Sequence, residues 1–396
     1  MIGFFVFLFF LYFFLQSILT LLFYLYLWQI KEYRLDRLLC HLRTKTAKKQ
    51  ITDYLNILKW KGSLRPVFTL KASLIFFLSL ILVFQSWFFF LKYLPFDFSI
   101  RISLASFLVN ILAPALVSLV VFLFQPITMF LKKAIIFLAK KKIILFPNLL
   151  VIGITGSFGK SSTKEFLATI LGEKFKVLKT PKNWNTEIGV AKIILRSLKK
   201  DHQVFIVEMA AYKKGEIKAI CQIVKPKIGI ITGINSQHLG LFKSLENTAG
   251  TKYELIKFLP KGSFAVFNGD NPYCLKLAKK TRIKKKIYSF KEAKNIKTGK
   301  KKVSFEIDNQ PFRLNLLGQF NLSNFLAAFF VAKHLGMNHS EIAKGAAKIE
   351  SLEGTMKPFI GLNGARFIDD TYSSNPDGFM AALSYLEKRK KKRIIV

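Results

Sequence analysis

The chain has 396 residues, 51% of them hydrophobic, and its 62 basic against 23 acidic side chains give a formal charge of +39. That length suits two or three domains, and the isolated Cys40, Cys221 and Cys274 argue against a zinc site or a disulfide framework. The charge invites a nucleic-acid reading, but lysines occur in every segment and no zinc finger or aromatic RNA-binding motif is present, so no nucleic-acid partner is expected.

Ile2 to Leu27 is an uncharged apolar run, about the roughly 20 residues that cross a bilayer as a helix. It lacks the basic flank and small-residue cleavage site of a signal peptide. A second run, 70–91, is broken only by Lys71, and a third, 102–124, contains Asn110 and Pro114. Three transmembrane helices are therefore predicted within a membrane region spanning residues 1–147. Ten lysines and arginines lie between Lys31 and Arg65, whereas only Lys92 and Arg101 lie between the second and third runs. By the positive-inside bias the N-terminus is outside, and everything after Phe124 is cytoplasmic. The expected location is the inner (cytoplasmic) membrane, multi-pass, with anionic membrane lipids as partners for the basic surface. Phe130 to Leu145, apolar with interspersed lysines, is expected to lie along the membrane surface.

Beyond this region strands and helices alternate. Strands are predicted at 149–155, 175–178, 203–209, 228–234, 263–268 and 286–290. Helices are predicted between them at 160–171, 188–198, 215–223, 251–258 and 272–279. That order implies an α/β fold, a mostly parallel sheet with flanking helices. A hairpin is predicted at 301–307 and 312–317, helices at 321–334 and 340–349, a strand at 365–369, a helix at 376–388 and a last strand at 393–396. His334 and His339 read as structural.

The first strand breaks into Gly153-Ile-Thr-Gly-Ser-Phe-Gly-Lys-Ser-Ser-Thr163. Strand, glycine turn, Lys-Ser and helix describe a phosphate cradle: backbone N–H groups face the anion, Lys160 reaches the outer phosphates and Ser161 holds Mg²⁺. Ile154 occupies the place of the first glycine of the usual P-loop spacing. In open α/β sheets ligands bind beyond the carboxyl ends of the strands. The polar residues there form a series: Ser161 and Thr163, Asn183 and Asn185, Glu208, His238, then Asn268 and Asp270.

This series resembles the Mur ligases, ATP-dependent amide-forming enzymes of peptidoglycan precursor synthesis. Thr155-Gly-Ser-Phe-Gly-Lys-Ser-Ser162 is similar to the family loop, and Thr180 to Gly189 to its asparagine-containing segment. Glu208 to Ile217, Asn235-Ser-Gln-His-Leu239, Lys252-Tyr-Glu254, Asn268-Gly-Asp270, Gly318 to Asn324 and Asp369 to Pro376 follow in family order. Ala210, Phe320 and Ser373 depart from the pattern. The branch most similar adds D-alanyl-D-alanine.

The resemblance implies a P-loop central ATP-binding domain at 148–358 and the start of a Rossmann-like C-terminal ligase domain at 359–396. It implies ATP bound by Thr155, Gly156, Gly159, Lys160, Ser161, Ser162 and Asn268, with Asn324 at the adenine and Asp370 at the ribose. Two Mg²⁺ sites follow, one at Ser161 and one held by Glu208 and His238. Lys252 would be carbamylated to serve the second. Catalysis would rest on Lys160, Glu208, His238 and Lys252, activating a carboxylate as an acyl phosphate for attack by an amine. The partners implied are a nucleotide- or lipid-linked muropeptide-like substrate and an amino acid or dipeptide amine. Membrane runs stand where the family places a UDP-binding domain, and the residues up to Val396 accommodate only the first strand, helix and second strand of the third domain. Two other readings stay open: a membrane-anchored polyglutamate-type ligase, and a non-catalytic nucleotide-binding scaffold.

Overall fold

The computed structural model describes residues 2–55, 65–236, 239–299, 302–361, 366–371 and 376–387. The chain divides into two units, Met1–Lys132 and Lys133–Val396. The first contains α1 (Ile2–Ile30), α2 (Leu35–Leu42), α3 (Lys45–Leu55), α4 (Leu70–Tyr93) and most of α5 (Phe98–Ile144). Among the described residues three helices, Phe7–Ile30, Leu70–Tyr93 and Phe98–Ile144, are long and apolar enough to cross a membrane. A helix suits that setting because it pairs its own backbone groups where no water can. Rings of Phe10 and Trp87 meet at 4.5 Å, and those of Phe14 and Phe84 at 5.6 Å. As residue numbers rise along α1 they fall along α4, so the two helices are antiparallel. The Asn110 amide of α5 donates to Phe13 O at 3.3 Å, and Trp28 Nε1 to Ser118 Oγ at 3.1 Å.

One expectation is corrected here. The third apolar run does not stop at 124 with a separate surface segment behind it; α5 is one helix of 47 residues that includes Pro114 and Pro126. Between Pro126 and Pro147 the sequence has neither glycine nor proline, and its Leu, Ala and Lys residues favour continuation.

The second unit runs β1 (Leu150–Thr155), α6 (Lys160–Leu171), β2 (Val177–Lys179), α7 (Glu187–Ser197), β3 (Val204–Glu208), α8 (Glu216–Val224) and β4 (Ile228–Ile231). Then come α9 (Leu239–Phe242), α10 (Leu245–Lys252), α11 (Glu254–Phe258), β5 (Phe264–Asn268), α12 (Pro272–Lys280) and β6 (Lys284–Tyr288). It continues with β7 (Lys294–Thr298), β8 (Val303–Ile307), β9 (Gln310–Leu314), α13 (Phe320–His334), α14 (His339–Ala347), β10 (Lys357–Ile360), β11 (Arg366–Asp369) and α15 (Pro376–Glu387).

Six strands form one sheet in the order β2-β3-β1-β4-β5-β6, and every pairing in it is parallel. A parallel sheet is covered on both faces, which is why its central strands read as continuous apolar runs. Alternate residues serve opposite faces. Ile152, Ile154, Ile206 and Val266 join the core beneath α6, α13 and α14. Val151, Phe205, Val207 and Phe267 join the core on the side of α7, α8 and α12. The strand order reverses at β1, which lies between β3 and β4; that is where a crevice opens in such sheets.

Two other boundaries moved. The helix predicted at 251–258 is divided at Tyr253 into α10 and α11. The predicted hairpin is β8 and β9 of a three-stranded antiparallel sheet that also takes in β7. Its turn uses Asp308 and Asn309, both in the left-handed region (φ 52° and 59°), the backbone that matches strand twist in two-residue hairpins. The strand predicted at 393–396 lies outside the described residues. His334 stacks on Phe264 with ring centroids 3.9 Å apart, and His339 Nε2 lies 3.2 Å from the Asp308 carboxylate.

Helix α14 approaches α6 closely because Gly345 has no side chain: a Cβ there would lie 2.7 Å from Ile170 Cα. Gly345→Ala should therefore destabilise the second unit by about 1–3 kcal/mol. Gly250 of α10 has nothing within 4 Å of its would-be Cβ, so Gly250→Ala should be neutral or stabilise by up to about 1 kcal/mol. Denaturant unfolding of the two variants checks both signs.

Candidate active site

The phosphate loop leaves β1 at its centre-sheet position and enters α6. Gly159 caps α6 in the left-handed region, φ 76°. A Cβ on it would lie 2.5 Å from Asn324 Oδ1, and one on Gly156 would lie 2.2 Å from Thr232 Oγ1. Both positions therefore need glycine for space, and Gly159 also for conformation. The loop is stapled to the segment after β4: Ser157 N donates to Gly233 O at 2.7 Å, and the Phe158 ring covers Gly233 so closely that a Cβ there would be 2.3 Å from its Cζ. Ile154, at the position of the expected glycine, is a fully buried core residue of β1.

Three predicted residues prove to hold the frame of the site. The buried Thr155 hydroxyl donates to Met209 O at 2.9 Å, tying β1 to the end of β3. Asn268 donates to Thr232 O at 2.9 Å and accepts from Asp270 N at 3.0 Å. Asn324, reaching in from α13, accepts from Thr163 Oγ1 at 3.4 Å beside Gly159. Ser162 occupies the first turn of α6, half-buried.

At the mouth of the loop stands Glu208, buried at the end of β3 and in register with Ile154 of β1. Its Oε2 accepts from Ser161 Oγ at 3.0 Å and from Lys164 Nζ at 3.2 Å; its Oε1 accepts from Asn185 Nδ2 at 2.9 Å. Its N–H donates to Thr180 Oγ1 at 3.0 Å. Strand ends β1, β2 and β3 thus converge on one carboxylate. Lys164 was absent from the predicted site. It is 1% exposed, and it also donates to Lys182 O at 3.2 Å and sits 3.3 Å from the Glu165 carboxylate. One signal was available: Lys164 follows Lys160 by one helical turn, so it shares that face of α6.

Two more lysines lie near. Lys160 Nζ donates to Ser157 O at 3.0 Å. Desolvation pulls its pKa below the ordinary lysine value, against the opposing pull of the Glu208 charge. Lys252 ends α10, 3% exposed, with its ammonium 5.6 Å from the centre of the Phe242 ring. Burial first, and the Lys160 charge second, bring its pKa down to about 7, while Glu216 and Glu254 oppose this. The Glu254 carboxylate is engaged by Gly215 N and Lys218 N, at 2.7 and 3.1 Å.

His238 lies outside the described residues. Asp370 follows β11 and accepts from Met356 N at 3.2 Å, apart from the loop contacts above. Among the described residues no three His, Cys, Asp or Glu side chains group as metal ligands. What is present fits a nucleotide with a hard cation. The cradle is closed by two obligatory glycines, Ser157 Oγ is buried within it without a hydrogen-bond partner, and the adjoining Ser161 and Glu208 supply oxygen donors of the kind Mg²⁺ prefers.

The Lys164–Glu208 pair is buried on both sides, 1% and 2% exposed. Lys164→Met or Glu208→Gln alone should destabilise by about 3–5 kcal/mol, because one buried charge or its partner is left uncompensated. The double variant should recover much of that loss; additive losses in a denaturant double-mutant cycle would mean the pair is not coupled. A second expectation concerns pH. Lys252 has a folded pKa of about 7, below its ordinary 10.5. Between those values the unfolded chain holds a proton that the folded chain does not, so stability rises with pH across that window. Lys252→Met should flatten that rise in melting temperatures measured from pH 7 to 10; an unchanged slope would rule out Lys252 as its source.

The Mur ligase middle domain family matches residues 154–332. A UDP-N-acetylmuramoyl-tripeptide–D-alanyl-D-alanine ligase from Synechocystis is 34% identical over 243 residues, 61% of this chain and 53% of that protein. The ligase of the same name from Borreliella burgdorferi is 34% identical over 240 residues, 58% of this chain and 51% of that protein. Among solved structures, MurF from Acinetobacter baumannii superposes with a TM-score of 0.60 at 29% identity, covering 65% of this chain and 58% of that one. MurF ligase from Thermotoga maritima in complex with ADP gives 0.58 at 28%, covering 65% and 61%. The chain spans about half the length of the curated relatives it matches. Residues 154–332 thus resemble a Mur ligase middle domain in sequence, and the chain resembles the MurF structures in fold.

Proposed function

We propose that the chain acts in ATP-dependent amide-bond formation in cell-wall precursor synthesis, joining a muropeptide-like carboxylate to an amino acid or a dipeptide of the D-alanyl-D-alanine type. The observation that carries this reading is the Ser161 hydroxyl set 3.0 Å from the buried Glu208 carboxylate at the mouth of a glycine-closed phosphate loop. In the reaction the substrate carboxylate takes the γ-phosphoryl group of ATP and ADP leaves. The amine then attacks the acyl carbon, phosphate departs, and the amine loses a proton. Phosphoryl transfer asks the protein mainly for positioning and charge neutralisation.

Each group has a place in that scheme. The loop from Thr155 to Ser162, with Gly156 and Gly159, cradles the phosphates; Lys160 neutralises the outer ones. Asn268 and Asn324 serve the nucleoside side, and Asp370 the ribose. Ser161 would hold one Mg²⁺, and Glu208 with His238 a second. Bound there, the metal would neutralise charge between the γ-phosphate and the carboxylate. Lys252 is suited to carbamylation, because only a neutral amine adds CO₂ and a pKa of about 7 supplies one at neutral pH; the product carbamate is an anion facing Lys160. Residues 148–358 would form the central domain and 359–396 the beginning of a third. The three apolar helices would cross the cytoplasmic membrane with the N-terminus outside and the second unit in the cytoplasm, supported by the lysine and arginine bias of the links.

The test supplies the full chain in detergent with ATP, Mg²⁺, UDP-N-acetylmuramoyl tripeptide and D-alanyl-D-alanine, with glutamate as the amine in a parallel arm. The expected outcome is one ADP per new amide, and a fall of about a hundredfold or more in turnover for Lys160→Ala. Amide formation in the glutamate arm alone would point to the polyglutamate-type ligase, and no ADP with any acceptor to the scaffold. Isotope-labelled bicarbonate should give a carbamate carbonyl signal that Lys252→Met abolishes.

A further inference from the structure

Where α1 ends and α4 begins, beside α5, lie cations that the ligase reaction does not use. Lys71, in the first turn of α4, is half-buried. Its ammonium donates to Thr128 Oγ1 of α5 at 3.2 Å and stands 4.1 Å from the centre of the Tyr33 ring. Among the described residues it has no carboxylate partner. Lys132 of α5 lies within electrostatic reach of it. Tyr33 belongs to the turn that ends α1, where Glu32 and Tyr33 both adopt the left-handed region, φ 56° and 55°. Two consecutive residues other than glycine in that region store strain, and such strain collects at binding sites.

The turn is held from all sides. Gln125 donates to Tyr33 O at 2.7 Å. Gln29 exchanges two hydrogen bonds with the backbone of Val67, each 2.7 Å, which fixes the chain entering α4. Arg37 is buried and pairs with Glu32 at 2.7 Å, and Lys31 lies within electrostatic reach of Arg37. Lys71 and Lys132 are thus neighbouring cations, next to a turn in which Arg37 takes up Glu32. The neighbouring Arg34 and Asp36 pair with each other at 2.6 Å.

A lysine that merely snorkels from a helix end keeps its head in water. Lys71 is instead clamped between an aromatic face and a hydroxyl, with no further hydrogen-bond partner among the described residues and a like charge near it. That arrangement is stable when an anion sits among the cations. We propose that this cluster is a binding site for the phosphate of an anionic lipid headgroup in the inner leaflet, with Lys71 as its central ligand and Lys132 beside it. The proposal rests on the membrane reading above. The depth favours a lipid as the source: the site lies where α1 ends and α4 begins, at the boundary of the apolar runs, within reach of a headgroup. A surface of anionic lipid would add to the attraction of each basic group.

Native mass spectrometry of the full chain, released from neutral detergent with added phosphatidylglycerol or phosphatidylcholine, tests this. Retention of phosphatidylglycerol over phosphatidylcholine is expected. Lys71→Gln should weaken retention about tenfold, the scale of one lost charge-assisted hydrogen bond. Lys132→Gln should weaken it less, Lys71→Arg should keep it, and Lys92→Gln at the opposite end of α4 should leave it unchanged. Equal retention of the two lipids, or retention unaffected by Lys71→Gln in a variant with unchanged melting temperature, would overturn the site. Displacement of phosphatidylglycerol by equimolar inorganic phosphate would overturn the lipid as its ligand. Failure of the membrane reading shows separately, as recovery of the chain in the aqueous fraction without detergent.

Discussion

A buried carboxylate must be paired, and in the second unit the pairing of Glu208 organises everything around it. Its oxygens take one hydroxyl, one ammonium and one amide, delivered by two parts of the chain. Ser161 and Lys164 arrive on the first two turns of α6, and Asn185 on the segment between β2 and α7. For those donors to meet, α6 must start where the glycine loop starts it, and β1, β2 and β3 must end level with one another. The parallel register that sets Ile154 opposite Glu208 is therefore part of the chemistry. It puts the acid at the lip of the phosphate loop, within hydrogen-bonding distance of the helix that receives the anion.

Around that pair the site is cationic. Lys160, Lys164 and Lys252 crowd a small volume, a distribution that repels itself in the absence of anions. Lys252, whose burial first and the Lys160 charge second lower its pKa to about 7, sheds its proton near neutral pH, while Lys164 binds Glu208 and Lys160 donates to a loop carbonyl. Phosphates and a carboxylate entering the crevice would complete the charge balance. The same logic recurs in the first unit, where Lys71 lies near Lys132 and has no carboxylate partner among the described residues. In both places structure brings like charges together, and in both the compensating charge we propose is a phosphate-bearing ligand.

Much of this was legible beforehand. The apolar runs at 2–27 and 70–91 became α1 and α4 because twenty or more consecutive apolar residues allow little else. Strands β1, β3 and β5 were legible as short β-branched and aromatic runs, and the strand-end residues could be placed because a parallel sheet gathers its loops at one edge. The errors have the same root. Phe130 to Leu145 was separated from the third run because composition changes there, yet helical hydrogen bonding responds to the absence of glycine and proline more than to charge. Tyr253 interrupts a helix that propensity alone would have left whole. Thr155, expected at the nucleotide from its place in the loop, has its hydroxyl joining two strands, a role the sequence did not suggest.

The sequence by itself determined the order of elements, the residue types at the strand ends and the glycines of the loop, since each depends on neighbours a few positions away. Only the tertiary structure decided which of many lysines matter. Lys164 lies 44 positions from Glu208, and Lys71 lies 57 from Thr128. In a chain where lysine is everywhere, composition cannot single either out. Burial does, because a charge removed from water must find a partner, and finding it requires the whole fold.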